Sequence, residues 1–64
     1  MNSKEIFELV WTASHNDPTY DIHRAKVVAS MHKIPVATIM RVVQHAKRAP
    51  KEASWAGVLN SFKQ

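Results

Sequence analysis

The chain has no cysteine, only one glycine and no acidic residue anywhere between positions 22 and 51. Without cysteine there is neither a disulfide nor a thiolate zinc site, which excludes the small secreted scaffolds that depend on such staples. No apolar run approaches the roughly 20 residues that a membrane span requires. The opening Met1-Asn2-Ser3-Lys4-Glu5 has no basic region followed by an apolar one, so nothing marks it for export and a cytoplasmic protein is expected. No serine sits in a nucleophile-elbow context, and Asp17 and Asp21 read as first-turn helix residues rather than catalytic acids. The histidines at 23, 32 and 45 are 9 and 13 residues apart, which is not the i, i+4 spacing of a helical metal pair. No enzyme, metal or cofactor is expected.

What is present is a chain of 64 residues with 45% apolar content. At that length one domain, 1–64, is expected, and folding hides only about 60% of the surface of the unfolded chain. Most active sites need a cleft walled by a larger scaffold, so the composition points to a binding module. Its charge is divided. Residues 1–21 carry a net charge of −3, residues 22–51 carry +7, and residues 52–64 cancel. The positive block consists of Arg24, Lys26, Lys33, Arg41, Lys47, Arg48 and Lys51. Seven cations in thirty residues, with no acid among them, suggest a polyanionic partner.

Proline gives the strongest punctuation, at 18, 35 and 50, and each suits the first turn of a helix. Asn2 with Glu5 has capping-box spacing, and Ile6, Leu9, Val10 and Ala13 predict a first helix over Ser3–Ala13, broken by Ser14-His15-Asn16. Asp17-Pro18 predicts a second helix from Pro18 to about His32. Pro35 opens a third, to about Arg48, with Ile39, Val42, Val43 and Ala46 as its stripe. Pro50 opens a fourth, carrying Trp55, Val58, Leu59 and Phe62. The expected fold is all-α, a compact bundle of about four short helices. Its expected core is Ile6, Leu9, Val10, Val28, Ile39, Val43, Trp55, Val58, Leu59 and Phe62.

The second and third helices are separated by about three residues, which is helix-turn-helix spacing, and Ala29 is the small residue such a crossing needs. The segment Ala29-Ser30-Met31-His32-Lys33-Ile34-Pro35-Val36-Ala37-Thr38-Ile39-Met40-Arg41-Val42-Val43 resembles the helix-turn-helix of the lactose-repressor family of bacterial transcription regulators. The match centres on Val36-Ala37-Thr38-Ile39-x-Arg41-Val42-Val43, similar to that family's V-A-T-V-S-R-V-L helix. The resemblance implies base contacts from Val36, Ala37 and Arg41, and a phosphate contact from Thr38. Three positions depart from the pattern: Lys33 replaces the turn glycine, Pro35 a serine or threonine cap, and Met40 a serine.

The residues read the same way without the resemblance. Arg41 suits guanine and Gln44 adenine, while Val36, Ala37 and Met40 offer methyl groups to thymine. Arg24, Lys26, Lys33, Lys47, Arg48 and Lys51 would neutralise phosphates. The expected function is therefore a small basic DNA-binding regulator from a bacterium or phage, using double-stranded DNA, with a homodimer or tandem binding to supply specificity. Two alternatives stand beside it. One is a modulator that docks Val36, Ala37 and Met40 on an acidic host protein. The other is an RNA-binding protein, for which aromatic stacking platforms are lacking.

Overall fold

The structure, a computed structural model, describes residues 2–62. It contains α1 (Ser3–Asn16), α2 (Ile22–His32), α3 (Val36–Ala46) and α4 (Lys51–Phe62), and the described residues include no strand. The all-α reading holds. The principal axes extend 25 × 24 × 18 Å.

Asn2 caps α1, its side-chain oxygen accepting the Glu5 N–H at 2.9 Å. The helix runs one turn past the expected Ala13. Ser14 does not break it, because its hydroxyl donates to the Val10 carbonyl at 2.7 Å and is buried there. His15 stacks on Trp11, with ring centroids 4.7 Å apart and planes 13° apart. Its Nδ1 lies 3.2 Å from the Ala46 carbonyl oxygen at the end of α3.

Pro18 does not open α2. It occupies the second position of a turn closed by the Tyr20 N–H donating to the Asp17 carbonyl at 3.1 Å, where a fixed φ favours proline. Asp17 holds this turn from its side chain, accepting the Thr19 N–H at 2.9 Å and the Thr19 hydroxyl at 2.6 Å, and it pairs with the Arg24 guanidinium. Asp21 is the N-cap of α2, accepting from the N–H groups of His23 and Arg24. The third helix is likewise shorter than expected, so Lys47 and Arg48 lie in the turn after it and not in its last turn.

Helix α3 is central and packs against each of the other three helices. Its apolar side is Ile39, Val42, Val43 and Ala46, all buried, and it faces Phe7 and Val10 of α1, Ala25 and Ala29 of α2 and Val58 of α4. The alanines of α2 let its backbone approach α3 closely. Around this centre the Trp55 ring packs 5.1 Å from Phe7 and 5.9 Å from Phe62. Two expected core residues are misplaced. Leu9 is 48% exposed. Leu59 is half-buried and lies outside the core cluster. The reason for Leu9 is rotational: α1 buries the row Phe7, Val10 and Ser14 together with Ile6, which turns Leu9 to one edge. Val28, Trp55 and Phe62 are half-buried and pack against the core from its margin.

Phe7→Ala should therefore destabilise the fold by about 3–5 kcal/mol, whereas Leu59→Ala should cost about 1 kcal/mol or less. Urea unfolding followed by helix circular dichroism measures both, and equal losses would contradict this packing. The Asp17 turn makes a second expectation. Hydrogen bonding from the Thr19 hydroxyl, then from the Arg24 guanidinium, holds the Asp17 carboxyl at about 2 against an ordinary 3.8. Because the folded value is the lower one, this tie is complete above about pH 4 and is lost as pH falls towards 2. A carbon-detected NMR titration should place the Asp17 midpoint near 2, and Thr19→Val should move it up towards 3.8.

Candidate nucleic-acid interface

The link between α2 and α3 is Lys33-Ile34-Pro35. Helix α2 ends with Lys33 in the left-handed region, φ 56° and ψ 43°, the one positive φ among the described residues. Backbone hydrogen bonds close this end. The Ile34 N–H donates to the Ala29 carbonyl at 2.9 Å and the Lys33 N–H to the Ser30 carbonyl at 3.4 Å, the Schellman arrangement. A left-handed turn here normally takes glycine, so Lys33 occupies it at the cost of a Cβ clash. Pro35 supplies the first helical carbonyl of α3, which accepts the Thr38 N–H at 3.0 Å, but no side chain caps this helix.

Three residues of α3 are exposed: Ala37, Arg41 and Gln44. Their spacing, i, i+4, i+7, places them in one row along the helix, and Arg48 follows one further turn on. The neighbouring expectations do not hold. Val36 and Met40 are half-buried and packed against the core, because they sit one turn from Ile39 and Val43 and widen the apolar stripe on one flank. Thr38 is only 6% exposed, so it offers no surface to a phosphate. The row is thus narrower and more polar than the sequence reading placed it. Arg41 also reaches across to α4, its Nη1 donating to the Ser61 hydroxyl at 3.3 Å. Nothing in the sequence marks Ser61, which is twenty residues away.

Of the seven cations in the acid-free block, Lys26, Lys33, Lys47, Arg48 and Arg41 are exposed, with no acidic partner in ion-pair contact among the described residues. Arg24 is exposed but engaged, paired with Asp17 and lying 5.0 Å from the Tyr20 ring centroid. Lys51 is half-buried, with its Nζ 5.9 Å from the Trp11 ring centroid. Lys33 precedes α3 and Lys47 and Arg48 follow it, so free positive charge stands at both ends of the exposed row. Among the described residues no three His, Asp or Glu side chains converge as a metal site, and no helix is long and apolar enough to cross a membrane.

No protein-family model matches this chain, and no curated protein or solved structure does either.

Lys33→Gly should stabilise the fold by about 0.5–1 kcal/mol, the left-handed strain of about 1–2 kcal/mol being partly offset by the greater chain entropy of glycine. The midpoint of urea unfolding should rise accordingly. An unchanged or lowered midpoint would mean that this turn is not left-handed in solution.

Proposed function

We propose that the chain is a small helix-turn-helix DNA-binding protein, a transcription regulator of bacterial or phage type that acts by occupying its site. The observation that carries this reading is the exposed row Ala37, Arg41 and Gln44, with free cations at both ends of its helix. An 11-residue helix is about 16 Å long, enough to cross a major groove about 12 Å wide. With α3 in the groove, Lys33 at one end and Lys47 and Arg48 at the other meet the two flanking phosphate rows, and Lys26 adds a further contact from α2. Arg41 and Gln44 then supply the forked and amide groups suited to guanine and adenine, with Ala37 offering a methyl group to thymine. The uncapped start of α3 also favours a nearby phosphate.

The half-burial of Val36 and Met40 weakens the reading of this face as an apolar dock for another protein, because two of its three anchors serve the core. RNA recognition by stacking has no support on this row, which carries no aromatic side chain.

Binding to random duplex should be salt-dependent. Neutralising about four phosphates, through Lys26, Lys33, Lys47 and Arg48, gives a slope of log K on log salt near −3.6. Reversing Lys47 and Arg48 to Glu should weaken all sequences alike. Arg41→Ala should cost about 1–3 kcal/mol on a selected site and relax preference at one base pair, while the fold persists because Arg41 is exposed. Absence of duplex binding at low salt would reject the proposal, and an Arg41 variant with unaltered specificity would remove that residue's role.

A further inference from the structure

The arginines of α2 and α3 have different surroundings. Arg24 pairs with the Asp17 carboxylate and lies 5.0 Å from the Tyr20 ring centroid, so its charge is largely answered within the fold. Arg41 has a neutral acceptor instead, the Ser61 hydroxyl, 3.3 Å from its Nη1. A hydroxyl holds a guanidinium without cancelling its charge. The way the helices pack sets this contact. Ser54 and Val58 are buried on α4, and Ser61 follows them at i, i+4, i+7 spacing, on the same side of the helix. Four residues before Ser61, a Cβ added at Gly57 would lie 3.4 Å from the His45 Cε1, so α4 runs close to α3 there. From Gly57 to Ser61 is about one turn along α4, and from His45 to Arg41 is about one turn back along α3. The two contacts are successive steps of one antiparallel packing, whose register brings Ser61 to Arg41.

We propose that Ser61 is a positioning residue for base recognition, holding the Arg41 guanidinium so that its free edge meets a guanine. The inference rests on the DNA reading above and adds to it a residue outside α3. A guanidinium carries five N–H donors in one plane. With a donor of Nη1 given to Ser61, Nε and Nη2 still present a two-donor edge, the fork that spans guanine O6 and N7. An arginine side chain has several rotatable bonds, and one that is already oriented escapes part of the ordering cost of binding. The gain falls at the one base pair that Arg41 reads. Phosphate contacts from Lys26, Lys33, Lys47 and Arg48 do not pass through Ser61, so binding that ignores sequence is independent of it.

The test uses the full chain and a duplex that the wild type selects from a randomised pool. All four bases are placed in turn at the pair whose preference Arg41→Ala removes. Ser61→Ala should lower the preference at that pair about two- to tenfold, the effect of one hydrogen bond. Affinity for random duplex and its salt dependence should stay as in the wild type. Helical circular dichroism should also persist, since alanine is the better helix former. Ser61→Thr keeps the hydroxyl and should retain the preference. In the Arg41→Ala background, Ser61→Ala should have no further effect. Without DNA, ¹⁵N relaxation of the Arg41 side-chain Nε–H should report faster motion in Ser61→Ala than in the wild type. Undiminished preference in Ser61→Ala, or an equal loss on every duplex, would overturn the positioning role and leave the DNA reading standing. Unaltered specificity in Arg41→Ala, or no duplex binding at all, would instead remove the DNA reading and this inference with it.

Discussion

The packing of α3 against all three other helices is the constraint on which the rest of this fold depends. A helix with a single neighbour keeps most of its circumference free, but this one gives five of eleven positions to the core and three more to its margins. What remains is a row one residue wide. The same burial explains the small residues elsewhere, since Ala25 and Ala29 on α2 are what allow a third helix to lie so near the axis of α3. It also explains why the cations concentrate at the ends of α3: buried positions cannot hold an unpaired charge, so Lys33, Lys47 and Arg48 fall in the turns that enter and leave it.

The stripe of α3 was legible in the sequence because Ile39, Val42, Val43 and Ala46 follow one helical row, while the opposite, exposed row holds Arg41 and Gln44 with only Ala37 apolar. Helix α1 was less legible. Ile6, Phe7, Leu9, Val10, Trp11 and Ala13 spread over more than half its circumference, and periodicity alone does not choose between a stripe centred on Leu9 and one centred on Phe7. The neighbours made the choice, since the core contributed by α3 and α4 lies on the Phe7 side. Pro18 misled for a related reason: the first turn of a helix and the second position of a β-turn both favour its fixed φ, and only Asp21 as the cap separates them. The candidate site was legible in part. Arg41 and Gln44 are exposed, but Thr38 is buried and Val36 and Met40 pack at the margin of the core, on a helix more enclosed than the motif resemblance implied.

Helix α4 is held differently from the others. Its fully buried aliphatic anchor is Val58, and the rest of its contact is aromatic and marginal, through Trp55 and Phe62. Three buried polar atoms among the described residues, Trp11 Nε1, His45 Nδ1 and Ser54 Oγ, have no hydrogen-bond partner in the protein, and they belong to α1, α3 and α4. A group left in that state costs about 1–3 kcal/mol, a large fraction of what so small a domain possesses. Among the described residues none of these atoms belongs to α2. The Arg41–Ser61 hydrogen bond joins the exposed row to α4, so the position of the Arg41 guanidinium is linked to that helix.

The narrowness of that row has an evolutionary consequence. A recognition surface can drift to a new target only through positions whose side chains are free to vary, and on α3 those are 37, 41 and 44. Substitution at 36, 38 or 40 would change folding before it changed recognition. If α3 is the recognition helix, relatives with different ligands should differ at those three sites and in the flanking turns, while the intervening residues stay buried or half-buried. For the same reason a complete set of variants at the three sites is small enough to be sampled exhaustively in a single selection. The scaffold separates what may vary from what must not along one short helix.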